Sequence, residues 1–181
     1  MISFIVATTG REYLEATLRS IECWPGDELL VVGENLSVND SRARVINFPA
    51  GNDWGHRERN FAMTQAKGRY IAHIDDDDAY LPGARALMQD AIDRTPERPI
   101  IFRMQYHHGL KLWAEKVVAC GNVGTPMSLL PNDLSMLGTF GPYYGGDATY
   151  LETMKWPHES IVWREEVIVY IRPHLQVTKP S

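Results

Sequence analysis

The chain has 181 residues, 44% of them hydrophobic and 23% charged, with a formal net charge of -5. That length buries one sizeable core and fits one domain better than two. The composition is that of an ordinary soluble globular protein, and the negative charge argues against non-specific nucleic-acid binding through a basic surface. No apolar run approaches membrane-spanning length, and an acidic chain that takes an anionic ligand needs local cations or a bound metal.

Residues 1–7 are apolar but have no basic n-region and run into Thr8-Thr9-Gly10. Residues 2–7 therefore read as a first strand rather than a signal peptide. Residues 11–22 carry Leu14, Leu18 and Ile21 at helical spacing, and Pro25-Gly26-Asp27 stops that helix. Residues 28–32 and 44–48 read as the second and third strands, separated by a polar loop. Asp53 is placed to cap a helix over residues 55–67 that ends at Gly68. Residues 70–74 form a fourth strand that runs directly into Asp75-Asp76-Asp77-Asp78. Pro82-Gly83 opens a third helix with Leu87, Met88, Ala91 and Ile92 on one face. Residues 99–106 and 110–118 predict two strands joined around His108-Gly109. Further on, Pro126, Pro131 and the Gly-rich residues 138–146 predict loops, followed by a short helix near 147–154 and a last strand at 166–171. Cys23 and Cys120 lack CxxC or zinc-finger spacing and read as reduced, semi-buried thiols of a cytosolic protein.

This alternation predicts an α/β fold: a mostly parallel central sheet, joined by right-handed crossovers and flanked by helices. Ligands of such sheets sit at the carboxyl ends of the strands. Thr8, Glu34 and the run Asp75 to Asp78 all fall at such ends, which predicts one shared site. Four adjacent aspartates repel one another unless a cation or protonation intervenes. Asp75 and Asp77, at alternate positions, offer hard oxygen ligands to Mg²⁺ or Mn²⁺; a solvated acidic turn is the alternative.

The segment Arg59-Asn60-Phe61-Ala62, followed by Ala66-Lys67-Gly68-Arg69-Tyr70-Ile71-Ala72-His73-Ile74 and then Asp75-Asp76-Asp77-Asp78 with Pro82 beyond, resembles the core signature of glycosyltransferase family 2. The resemblance covers roughly residues 2–95. It implies a single GT-A-like domain, with residues 1–98 as a Rossmann-like nucleotide-sugar-binding half and residues 99–181 as a smaller acceptor-side half. The implied activity is metal-dependent transfer of a sugar, with inversion, from a nucleotide-diphosphate sugar to an acceptor hydroxyl.

The same resemblance sets Thr8, Glu34, Arg59, Asp75 and Asp76 around the nucleotide sugar, and Asp75 and Asp77 on Mn²⁺ or Mg²⁺. The chain departs from the family at Val32-Gly33-Glu34-Asn35-Leu36, where Val-Asp-Asp-Gly-Ser is usual in a loop that helps read the base. Arg59 read alone is an exposed helix charge paired with Glu58 or Asp53. The base that deprotonates the acceptor is implied to lie in the second half, at a helix start, which selects Asp147 after Gly145-Gly146. A plain helix N-cap is the other reading of Asp147, and Asp133 and Glu152 are lesser candidates. His158 is a candidate for the metal shell or a loop histidine, and Trp54, Trp113, Trp156 and Trp163 are candidates for an acceptor platform or for the core. A non-catalytic nucleotide-sugar-binding protein and a sugar-nucleotidyltransferase are the rival functions. The expected location is cytoplasmic, with peripheral membrane association left open.

Overall fold

The computed structural model describes residues 1–143 and 145–173. Position 144, in the Gly-rich stretch, and residues 174–181, the end of the predicted acceptor-side half, lie outside the described residues. In chain order the elements are β1 (Ile2–Ala7), α1 (Leu14–Ser20), β2 (Glu28–Gly33), β3 (Ala43–Asn47), α2 (His56–Gln65), β4 (Tyr70–Asp75), β5 (Ala79–Tyr80), α3 (Ala84–Arg94), β6 (Ile100–Tyr106), β7 (Lys111–Leu112), β8 (Ser128–Pro131), α4 (Gly146–Glu152) and β9 (Val162–Ile171).

One mixed sheet carries all the strands, in the order β3-β2-β1-β4-β8-β6-β9-β5, with β7 paired to β6. β3, β2, β1 and β4 are mutually parallel, and β6 and β9 are parallel to each other. β8 is antiparallel to both β4 and β6, and the short β5 is antiparallel to β9. Every residue of β1 is buried, because helices cover both of its faces. Phe4 packs toward Ala84 and Met88 of α3, whereas a Cβ at Gly55, beside α2, would meet Ala7 at 3.0 Å. This is the near-continuous apolar strand of a doubly covered sheet, broken by Ser3, whose hydroxyl donates to Glu28 at 2.6 Å.

α1 is shorter at both ends than residues 11–22. Ile21 turns extended and buries itself in the core, and the Arg42 guanidinium satisfies the freed carbonyls of Leu18 and Ile21 at 2.8 and 2.7 Å. Asp53 does not cap α2 with its side chain. The N-cap is Gly55, in the left-handed region at φ 79°, and only the Asp53 carbonyl bonds the helix, accepting from the His56 amide.

The strand expected at 110–118 shrinks to β7. The Asn122 side chain takes the following backbone instead, accepting from the Ala114 amide and donating to the carbonyls of Glu115 and Val117. β8 was expected as loop because prolines flank it, yet Pro131 stands at the strand's last position, where the missing amide costs little. β9 begins at Val162, earlier than 166. Its polar run hides the pattern because Arg164 pairs with Asp90 and Glu166. Cys120 is exposed rather than semi-buried, and Cys23 is intermediate.

Candidate active site

The parallel strands deliver the predicted residues to one end of the sheet. In the register, Ala7 pairs with both Val32 and Asp75, so the segments after β1, β2 and β4 emerge side by side. Two clefts open there. The first, of 450 Å³, is lined by Thr8, Arg11, Glu58, Arg59 and Asp75 to Asp77 among others. The second, of 410 Å³, is lined by Asp77, Asp78, Tyr106, Cys120 and Asp147 among others. Trp54, Arg59, Asp75, Asp77 and Arg172 belong to both, so the acidic loop lies where the clefts meet.

The four aspartates have four different environments. β4 ends at Asp75 and the chain turns, the Asp78 amide bonding back to the Asp75 carbonyl at 3.2 Å. The turn breaks strand alternation and carries Asp78 back beside Asp75. Carboxylate oxygens of Asp75, Asp77 and Asp78 lie within 4.8 Å of one another, a spacing that suits a divalent cation. Asp76 points elsewhere: it is buried, accepts the Thr8 hydroxyl at 2.5 Å and lies 3.5 Å from Arg11. It ties the end of β1 to the acidic loop.

Burial raises the Asp75 carboxyl to about 6; Arg59 opposes the rise, and Asp147, Asp77 and Asp76 add to it. The shift persists although 37% of the Asp75 side chain is open to the cleft. Burial, then repulsion from Asp75, pushes Asp78 up to about 9, against the pull of the Arg172 amide it accepts at 2.9 Å. Asp77 is flanked by two cations, Arg11 at 3.2 Å and Arg172 at 3.6 Å.

Arg59 is not an exposed helix charge. Its side chain is 4% exposed and donates to Asp75 and, at 2.7 Å, to the Trp54 carbonyl. The guanidinium also lies over the Phe140 ring. The arginine lines both clefts while holding Asp75 in place. Trp54 is 60% exposed at their shared rim, with φ 58°. Of the other tryptophans, Trp113 and Trp163 pack edge to face, with ring centroids 5.1 Å apart, and Trp156 lies partly buried against the core.

Glu34 follows β2 as expected, but it is exposed, accepts the Ala50 amide at 3.2 Å and lines neither cleft. Asp147 lines the second cleft from the first turn of α4. It is not the N-cap, a position held by Gly145 at φ 88°. Asp133, which accepts from Ser135, and Glu152 and His158 line neither cleft.

The loop before Asp147 is clamped to α2. The Asn60 side chain both donates to the Phe140 carbonyl and accepts from its amide, each at 3.0 Å. His56 Nδ1 donates to the Gly141 carbonyl at 2.6 Å, and burial and the Arg59 charge lower its pKa and keep it neutral. A Cβ at Gly146 would sit 2.3 Å from the His56 ring, so this approach requires glycine. Asn60→Ala should cost about 1–3 kcal/mol through its two lost bonds; an unchanged urea midpoint would exclude the clamp.

Arg172, Glu58 and His56 escaped the sequence reading as site residues, and Asp78, which the sequence places at the shared site, was missing only from the metal ligands. Alternate spacing selects Asp75 and Asp77, whereas the turn that brings Asp78 to them leaves no local signal; a lone arginine, a helix glutamate and a helix histidine carry none either.

The family model described as glycosyl transferase family 2 matches residues 25–116, about half of the 181-residue chain. A curated protein of Sinorhizobium fredii, named "Uncharacterized protein y4gI", is 35% identical over 81 residues, which are 45% of this chain and 9% of that protein. Among solved structures, S. aureus TarS superposes with a TM-score of 0.71 at 16% identity, over 94% of this chain and 36% of that one. S. aureus TarS 1-349 in complex with UDP-GlcNAc superposes at 0.69 and 16% identity, over 93% of this chain and 57% of that one; the UDP complex gives 0.68 at 18% identity. The chain thus spans less than a tenth of the curated relative it matches, and these structures share with it the GT-A fold. The acidic loop, the α2 arginine and the strand ends after β2 and β4 all fall inside the matched segment, and the chain belongs to glycosyl transferase family 2.

Proposed function

We propose that the chain transfers a sugar from a nucleotide-diphosphate sugar to an acceptor hydroxyl, with inversion and with Mn²⁺ or Mg²⁺. One observation carries this reading: the carboxylates of Asp75, Asp77 and Asp78 gather where two clefts meet, and Asp147 lines the second of them. The donor set fits a hard divalent cation, being three carboxylates of which two are held above their ordinary pKa by burial and mutual repulsion. When bound, such a cation offsets the charge that develops on a departing diphosphate.

The first cleft takes the nucleotide and its diphosphate, with Thr8 and Asp76 at its floor and Arg11 and Arg172 supplying positive charge beside Asp77. The second cleft takes the sugar and the acceptor. Asp147 accepts the acceptor's proton there, on the side away from the diphosphate, as a single inverting displacement requires. Residues 1–98 on this reading bind the donor and residues 99–181 mainly form the acceptor side. The two solved TarS 1-349 complexes hold UDP-GlcNAc and UDP, so a uridine-diphosphate sugar is the donor to try first. No helix among the described residues is long and apolar enough to cross a membrane; a cytoplasmic location accompanies this reading.

Thermal shifts with UDP, GDP, TDP and CMP, each with Mn²⁺ and then with chelator, test the binding step. Slow release of UDP from UDP-sugars that stops on adding chelator is the expected result. Tight UDP binding without any turnover would favour a non-catalytic binder, and no binding of any nucleotide would remove the reading altogether.

A further inference from the structure

Glu58 offers an acceptor that no described residue uses. It lies in the first turn of α2, 3% exposed. Its Oε1 accepts the Gly51 amide at 3.1 Å. Its Oε2 is buried and has no hydrogen-bond partner among the described residues. A buried carboxylate oxygen left without a donor is costly, so such an atom in a cleft wall marks a place for a ligand's donor group. Glu58 does line the first cleft, together with Thr8, Thr9, Gly51 and Asn52.

Glu34 lacks all three properties. It is exposed, it is engaged with the Ala50 amide, and it stands outside the cleft lining. The loop after β2 therefore brings no carboxylate to the first cleft, whereas α2 brings one, a single residue before the arginine that holds Asp75.

We propose that Glu58 Oε2 accepts a hydrogen bond from the nucleoside of the bound nucleotide, either a ring N–H of the base or a ribose hydroxyl. Glu58 thereby takes the recognition role expected of Glu34. The assignment rests on the first cleft being the nucleotide site. It implies a nucleoside diphosphate that presents a donor at this wall, as the N3–H of uracil or a ribose hydroxyl does. Asp53 stands beside the same loop, its Oδ1 2.9 Å from where a Cβ on Gly51 would be, and both of its carboxylate oxygens are also unpartnered among the described residues. It does not line the cleft and is not assigned a contact.

Glu58→Gln isolates the atom in question. The amide oxygen of Gln keeps the bond from the Gly51 amide, and its NH₂ group replaces the unpartnered acceptor with a donor. Calorimetric titration with UDP in Mn²⁺ should show binding weakened about tenfold or more in the variant. The wild-type chain should lose a similar factor with N3-methyl-UDP if the base is the donor, or with 2′- or 3′-deoxy-UDP if the ribose is. The variant should not distinguish that analogue from UDP. The wild-type arm needs no substitution and so stands even if the variant folds poorly. UDP binding that is equal in wild type and variant, or a wild-type chain indifferent to all three analogues, overturns the Glu58 assignment alone. A wild-type chain that binds no UDP overturns the nucleotide reading and this assignment with it.

Discussion

Asp77→Asn is expected to abolish the stabilisation that UDP and Mn²⁺ together give the wild-type chain. Asp77 sits between the two clefts with its carboxylate close to those of Asp75 and Asp78, and Asn replaces a charged oxygen pair with one neutral carbonyl. A ligand that binds only the folded state at a hundred times its Kd adds about 2.7 kcal/mol of stability. For a domain of this size that is a Tm shift on the order of 5–10 °C, and it should vanish in the variant. The unliganded protein should change little. The partners of Asp77 are Arg11 and Arg172, whose side chains are 53% and 59% exposed, and exposed ion pairs contribute about 0–1 kcal/mol. A variant that keeps the full Mn²⁺-dependent shift would remove Asp77 from the cation site.

Asp147→Asn is expected to bind UDP and Mn²⁺ as the wild type does and to lose transfer by a factor on the order of a hundred or more. The fold gives this substitution a clean background. Gly145, not Asp147, caps α4, so the helix start does not depend on the carboxylate. Loss of its charge from the first turn costs about 0.3–1 kcal/mol of favourable interaction with the helix dipole. The comparison to make is the transfer rate against the UDP dissociation constant in the same preparation. Asp133 and Glu152 lie outside both clefts. Near-normal transfer by the variant would therefore leave the second cleft with only the Asp75–Asp78 loop as its acids and would withdraw the assigned base. A structure with donor bound is the right geometry to consult, because catalytic contacts that are long in an empty site tighten when substrate binds.

The alternation of strand and helix through residue 98 was legible because its inner strands bury nearly every residue. β1, β2 and β4 are mostly apolar and almost wholly buried, with Ser3 and His73 as polar exceptions inside them, and Gly or Pro marks the breaks between them. The second half resisted the same reading. β8 is a short strand framed by prolines, pinned between β4 and β6 by partners distant in sequence. β9 carries Arg164, Glu165 and Glu166, whose charges are answered by Asp90 on α3 and Arg103 on β6. No local pattern reports pairings of that kind.

In the sequence by itself, the motif from Arg59 to Pro82 carried the resemblance to the family, and strand–helix alternation determined the parallel strands of the first half and the placement of Thr8 and the acidic run at strand ends. Tertiary structure decided which acids meet. A turn after Asp75 folds Asp78 in and directs Asp76 to Thr8. The segment after β2 leaves Glu34 in solvent, while α2 buries Glu58 in the cleft wall and Arg59 beneath Asp75. The physical reason is the same in each case. Charge type and spacing are properties of the chain, but whether a carboxylate meets water, a guanidinium or another carboxylate depends on residues tens of positions away, and that neighbourhood sets its protonation and what it can bind.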